Sequence, residues 1–493
     1  MTYRRSSLSP RERLEVTWMA YQQQGIYGAI TDLAISFGVS RWLVYHLLKV
    51  VLPVLLEVAR PKPPGPKPAP RMLWVDKRHL ERAIVTLRVV GNVPLEGIQR
   101  CLEEVLGTHR SIGYLSEVIA QAQKEAAAFQ RQLVYEVAGT GLVDELFLHR
   151  RPILVVVEPH STALLLLSQE EHRDGATWGV RLLETEEQGF HFTQITSDQA
   201  QGIAAGVHAA FGEEMPHQLD LGHLFGEVAR LDAEVERTAY KTIRQEAERW
   251  RVLDSAQSER VIVSRIEAWE KVHQKMEEAI SRYEDFHYLA GELSDLFTPV
   301  SPEGVPRSLS FVQGELEALL SLLEEIPSAK IQELRKRLAR QQKGLLVFWE
   351  DWEPRLAALR EIIPQEEFLQ ALLLEYLLGR RKKPSRATQA ALEKTKAFVE
   401  IHLGDQAACL REQVASLLDA LVRSSALVET ANSWLRPYLN TRKGSSQAFL
   451  DLVRLYRNTR TYRRGKRKGH SPFELLGLSL PEDWLSMVGL PQT

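Results

Sequence analysis

Three carboxylates stand where a charge needs a reason. Asp144 interrupts the apolar run GLVDELF at 141–147, where an isolated buried charge costs several kcal/mol unless it is paired or metal-bound. Asp198 closes HFTQITSD just before a helical stretch, at a predicted strand end. Glu429 lies in ALVETANSWLRPYL, with Asn432 and Arg436 one and two turns further along the same helical face. Taken singly, each has a plain reading: an edge-strand charge, a helix N-cap and a solvated helical face. Converging, they would suit two Mg²⁺ ions, with Mn²⁺ as substitute, because hard cations take oxygen ligands. Two such ions about 3.5–4 Å apart serve phosphodiester displacement, one at the attacking oxygen and one at the leaving oxygen.

The elements that must position these groups are legible from periodicity. From Gly139 short β-branched or leucine-rich runs follow one another: GLVDELFLH, RPILVVVEP, ALLLLSQ and HFTQITS. A possible helix lies at about 171–188, a helical AQGIAAGVHAAFG follows ITSDQ, and then comes the short run MPHQLDLGHLF. This predicts a small mixed α/β core over 139–225. Residues 226–420 read almost entirely as helix, broken at TPVSPEGVP, IPSAK and GRRKKPSR. Within them Ile262, Ile266, Trp269, Val272, Met276, Ile280 and Tyr283 form one apolar stripe, expected to be core. Residues 421–493 complete the core and carry a basic tail.

Ahead of the core lie two helical segments. Residues 1–59 contain TDLAISFGVSRWLVYHLL, with Leu33, Ala34, Gly38, Val39, Val44 and Leu47 at helix-turn-helix spacing. Ser40, Arg41, Trp42 and Tyr45 then fall at the exposed start of the second helix, the part that enters a major groove. A spacer at 60–71 has six prolines and a glycine in ten residues and must be extended. Residues 72–138 are expected to form a second helical DNA-binding module.

The net charge of −2 over 493 residues conceals segregation. Residues 1–72 carry ten Lys/Arg against four acids, 442–468 ten against Asp451 alone, and 227–375 twenty against 29 acids. Basic ends of this kind suit a polyanion. Arg442, Lys443, Arg463, Arg464, Lys466, Arg467 and Lys468 are the tail residues expected to meet phosphates. The two cysteines, Cys101 and Cys409, lack any partner spacing, which excludes a disulfide scaffold and a cysteine zinc finger. No apolar run approaches bilayer length and the N-terminus lacks an apolar signal region, so a cytoplasmic, nucleoid-associated protein is expected.

With these residues in order, the chain resembles the DDE transposases with an RNase H-like catalytic core. The resemblance rests on Asp144 in the first of a hairpin-like series of strands, Asp198 after the fourth and Glu429 on a late helix. It covers about 140–225 and 425–480. QLDLGHLFGEVAR, with Asp220 and His223, is similar to the stretch after the fifth strand in several such families, and the ending GHSPFELLG is similar too. Asp198 and Glu429 are 231 positions apart, and the helical insertion this requires looks like the all-helical insertions of hAT-type transposases, in which an aromatic sometimes stacks on a flipped base; Trp349, Trp352 and Trp434 are the candidates here.

The resemblance implies a multidomain α+β enzyme: N-terminal helix-turn-helix module(s) and an RNase H-like mixed α/β core interrupted by a helical insertion. It implies that Asp144, Asp198 and Glu429 are catalytic metal ligands, that Arg436 steadies a phosphate, and that the protein works on double-stranded DNA, at transposon ends and target, as a homodimer or higher homo-oligomer with no membrane partner. Two alternatives belong to other classes: a transposase-derived DNA-binding regulator or inactive relic, and a structure-selective nuclease on the same fold.

Overall fold

The computed structural model describes residues 8–60, 75–148, 150–255, 258–440, 446–480 and 483–492. The chain divides into two compact units, Met1–Val75 and Asp76–Thr493, so the boundary falls at the end of the proline-rich spacer.

The first unit is three helices, α1 (Pro10–Gln22), α2 (Ala29–Ser36) and α3 (Arg41–Ala59). Gly38 takes φ +65°, the left-handed conformation that lets the chain turn between α2 and α3 at little cost. Val16, Ala20, Leu33, Ala34, Val39, Val44 and Leu47 form the core, which includes the apolar positions expected of a helix-turn-helix. By length and composition α3 could also cross a bilayer: its mean hydropathy reaches 1.7, with 17% of that window buried. This corrects the expectation that no apolar stretch approaches such a length. Lys49 and Glu57 interrupt the run, but so few charges leave the average high.

The second unit is α+β, mostly helical with one five-stranded sheet. α4 (Lys77–Val89), α5 (Leu95–Leu106) and α6 (Ile112–Gln132) come first. They share a small core of their own around Ile84, Ile98, Leu102 and Leu115. Val85, Val89, Ala122 and Ala126 of α4 and α6 also enter the core on one face of the sheet, and Tyr438 Oη donates to the carbonyl of Val89 at 2.8 Å. Residues 76–132 are therefore packed into this unit.

The sheet strands are β1 (Val137–Leu148), β2 (Arg151–Val157), β3 (Leu164–Gln169), β4 (Phe190–Ser197) and β5 (His217–Leu219), with α7 (Gly175–Glu187) and α8 (Gln201–Phe211) between them. Their spatial order is β3-β2-β1-β4-β5. β1–β2 and β2–β3 are antiparallel, whereas β1–β4 and β4–β5 are parallel. Trp178, Leu182, Ile203 and Val207 of α7 and α8 cover one face. These two helices cross closely because Gly206 has no side chain; a Cβ there would lie 2.3 Å from Trp178 Cβ. Leu142, Leu146, Val155 and Val157 face the other way, against Val428, Ala431 and Leu435. Alternation along β1 therefore sends neighbouring residues to opposite layers.

A helical segment departs after β5: α9 (Leu221–Asp254), α10 (Glu259–Leu296), α11 (Leu309–Glu325), α12 (Ala329–Leu345), α13 (Phe348–Ile362), α14 (Glu366–Gly379), α15 (Arg386–Leu403) and α16 (Ala407–Ala420). It has a large apolar core. None of the seven residues of the stripe expected to be core in α10 is buried; six are half-buried and Ile266 is exposed. Among the described residues from 240 to 278 none is buried, and Ile266 is 36% exposed, because along that stretch α9 and α10 have mainly each other to pack on. α17 (Ala426–Asn440), α18 (Gln447–Thr459) and α19 (Pro472–Leu475) return to the sheet.

Candidate functional site

The site's geometry depends on where the long helical segment leaves and where it rejoins. Leu221, its first residue, donates its amide to the carbonyl of Arg423 at 3.1 Å. The buried carboxylate of Asp220 accepts from Ser425 Oγ, from the amide of Gly222 at 2.7 Å and pairs with His223 Nδ1 at 2.6 Å. Gln218, fully buried in β5, accepts from the amide of Phe348 at 2.8 Å and donates to the carbonyl of Leu345 at 3.2 Å. The two ends of the helical excursion thus meet at the sheet edge, and α17 starts beside β5 despite its distance in sequence.

Asp144 projects from β1 toward α17. Asn432, 1% exposed, donates Nδ2 to Asp144 Oδ2 at 2.6 Å, and the amide of Glu145 donates to Asp144 Oδ1 at 2.7 Å. Burial is the largest influence on this carboxyl and pushes its pKa up to about 6; the negative charges of Glu429 and Asp198 push the same way, against the two hydrogen bonds. All three predicted carboxylates therefore share one electrostatic environment. Asp198 follows the last residue of β4 and accepts from the amide of Ala200 at 2.9 Å; Ala200 is itself the N-cap of α8 and no side chain caps that helix, so the N-cap role expected of Asp198 taken singly does not hold. Glu429, 46% exposed, pairs with Arg436 at 3.5 Å. Glu145 points to the opposite layer, as alternation requires, where it meets Arg173 at 2.7 Å and Trp178 Nε1 at 2.9 Å.

The oxygen-rich set suits a hard cation. The buried Asn432 Oδ1 beside Asp144 has no hydrogen-bond partner, a vacant acceptor of the kind a cation or its water would use. Yet among the described residues no three His, Cys, Asp or Glu side chains are gathered closely enough to hold a metal ion. The acids approach one another without closing into a ligand cage.

Two histidines flank the acids, and sequence reasoning gives neither a role. His217 in β5 is partly buried, and desolvation drives its pKa down to about 4 despite the charge of Asp198. Its Nε2 lies 2.8 Å from Ser197 Oγ, which itself donates to the carbonyl of Asp198 at 2.8 Å. The hydroxyl proton being so used, His217 must donate from Nε2, and the pair braces the backbone carrying Asp198. His223 is half-exposed; burial lowers its pKa, but Asp220, Asp198 and Asp144 outweigh that and raise it. A D-x-x-H pair in the first turn of α9 was the available signal for His223; the neighbour relation between β4 and β5 that creates the His217 contact was not readable along the chain.

The predicted DNA-contacting residues separate into distinct groups. Trp42 and Tyr45 are 70% and 59% exposed, Arg41 is exposed, and Ser40 caps α3 by accepting from the amide of Leu43 at 3.2 Å. Trp42 stacks on His46 with centroids 4.9 Å apart. Arg442 and Lys443 lie outside the described residues. Arg463, Arg464 and Lys468 are exposed on a loop closed by backbone hydrogen bonds between Tyr462 and residues 469–470, both 2.9 Å. Lys466 pairs with Asp419 at 2.8 Å, and Arg467 donates to the carbonyls of His160 and Pro159 at 2.5 and 2.7 Å.

Arg454, which lies within the basic run, is buried and spends its guanidinium on the carbonyls of Leu164 and Leu165 and on Tyr135 Oη. It belongs to the fold. Trp349 and Trp352 are fully buried core residues, whereas Trp434 is half-buried beneath the guanidinium of Arg457.

No family model matches the chain, and no curated protein matches it.

Proposed function

We propose that this chain is a DDE-type DNA transposase: a metal-dependent enzyme that binds transposon ends and catalyses phosphodiester hydrolysis and strand transfer. The observation that carries the reading is the convergence of Asp144 on β1, Asp198 after β4 and Glu429 on α17 across one end of a sheet ordered β3-β2-β1-β4-β5. That strand order, with three antiparallel strands extended by two parallel ones, is the arrangement expected of an RNase H-like core. The helical segment between β5 and α17 fits an insertion of the hAT type.

Asp144, Asp198 and Glu429 would hold two Mg²⁺ ions, which when bound supply Lewis acidity for the attacking and leaving oxygens. Asn432 orients the Asp144 carboxylate, and the His217–Ser197 pair steadies the segment carrying Asp198. Arg436 balances Glu429 in the free protein and is free to turn to a phosphate. The exposed start of α3 would read base edges, with the loop at 462–470 adding sequence-independent contacts. The protein would act in the cytoplasm, on the nucleoid, as at least a dimer on two double-stranded ends.

The uncollected state of the three acids favours one second reading, a regulator that binds DNA without cutting it. Purified protein, DNA carrying the sequences that flank its own gene, and Mg²⁺ or Mn²⁺ separate the two. Metal-dependent nicking at the ends followed by joining to target DNA is expected; specific binding with neither step would refute the transposase reading.

A further inference from the structure

Two Lys/Arg-rich segments far apart in sequence meet at one cleft. Arg380 opens the run Arg380, Arg381, Lys382, Lys383 after α14, and Lys466 belongs to the loop at 462–470. Asp419 on α16 joins them. Its carboxylate accepts from Arg380, from Lys466 Nζ at 2.8 Å and from Tyr376 Oη at 2.5 Å. Although partial burial opposes it, these three donors hold the acid down at about 2, so the bridge persists at every working pH.

The cleft beside this bridge encloses about 740 Å³. Its charged side chains are Arg380, Arg423, Lys466 and Arg467 against Asp419 alone. Arg423 is the telling member. Burial lowers its pKa, it donates to the carbonyl of Phe297 at 3.1 Å and lies over the Phe348 ring at 5.7 Å, and no carboxylate among the described residues pairs with it. A partly buried guanidinium without a carboxylate partner is a ready site for an anion. The same cleft is walled by Gly222 and Ser424, beside the join where Leu221 bonds to Arg423.

We propose that this cleft binds the phosphate backbone of a single nucleic-acid strand, and that Asp419 occupies the place of a phosphate in the free protein. The identity of the ligand rests on the function proposed above; the excess of cations does not. A cleft of this volume admits part of one strand and not a duplex. Guanidinium forks match phosphate oxygens, and a strand that displaces Asp419 gains Arg380 and Lys466 as partners.

The test is fluorescence anisotropy of a labelled, random-sequence 12-nucleotide single strand with the full chain in EDTA, across 50–200 mM salt. Asp419→Asn removes the internal competitor and is expected to tighten binding roughly 5–10-fold. Arg380→Ala and Lys466→Ala are expected each to weaken it by a similar factor and to flatten the salt dependence, a slope change of about 0.7 for each phosphate no longer neutralised. Equal affinity and equal salt slope in Arg380→Ala, Lys466→Ala and wild type would overturn the proposal, even if Asp419→Asn proved too unstable to assay. So would displacement of the strand by an equimolar oligoglutamate. Cleavage is not read, so strand binding that behaves as expected in a protein unable to cut would refute the transposase reading and leave this site standing.

Discussion

Replacing Asp144 by asparagine should stabilise the metal-free protein, and the size of the gain follows from its burial. A carboxyl at 3.8 in the unfolded chain and about 6 in the fold makes ionisation harder in the native state, by about 3 kcal/mol at neutral pH. Below 3.8 both states are protonated and no penalty exists. As pH rises the unfolded chain loses its proton first, so the native state loses stability until about pH 6, and the penalty is constant above that. The variant's advantage over wild type should be about 1 kcal/mol at about pH 4.5 and about 3 kcal/mol at about pH 7.5. Asparagine retains the contact with Asn432, and titrating groups that do not feel the charge of Asp144, His217 included, cancel in the difference, whereas His223, which Asp144 helps to keep protonated, adds a smaller contribution around its own titration. Urea unfolding of both proteins in EDTA across this range is the assay. Excess Mg²⁺ should then stabilise wild type while leaving the variant nearly unchanged. Parallel pH profiles, or a variant no more stable than wild type at the alkaline end of the range, would refute the view that Asp144 is an uncompensated buried carboxylate awaiting a cation.

Other perturbations test neighbouring parts of the account. Asn432→Ala should cut the rate of metal-dependent cleavage by roughly 10–100-fold and raise the metal concentration required, with circular dichroism unchanged; an unaltered rate at limiting metal would remove Asn432 from the site. Trp42→Ala and Tyr45→Ala, at exposed positions, should leave the thermal midpoint within the effect of about 0.5 kcal/mol typical of surface changes while abolishing discrimination between end DNA and random duplex in a competition shift assay. His217, held neutral with a pKa of about 4 against 6.5 unfolded, destabilises the fold as pH falls from 6.5 toward 4, so His217→Gln should show a weaker acid dependence of stability over that window in urea titrations. Arg454→Met should cost about 1–3 kcal/mol in the same assay, because it takes the guanidinium from the buried carbonyl of Leu165 and from Tyr135 Oη, while the carbonyl of Leu164 keeps Asn458.

What the sequence made legible follows from local physics. The short β-branched and leucine-rich runs beginning at Gly139 marked four strands. The helix-turn-helix core was readable because Gly38 acts through near neighbours. What escaped depends on contacts between distant segments. Neither the bond from Leu221 to Arg423 nor the tie of Asp220 to Ser425 has a sequence period, yet these bring Glu429 back to the sheet. Arg454 looked like its basic neighbours because charge counts do not register burial. The apolar stripe of α10 was readable as a helix face, but its exposure ahead of Ala279 depends on how many helices pack there.

The most direct measurement is end cleavage and strand transfer by wild type, Asp144→Ala, Asp198→Ala and Glu429→Ala under saturating Mg²⁺, with end binding measured on the same preparations. The account predicts metal-dependent nicking and joining by wild type, loss of both in all three variants and retention of specific binding by each. Full activity in any one of the three variants would contradict the triad, and activity surviving in Glu429→Ala alone would assign the third carboxylate elsewhere on the chain.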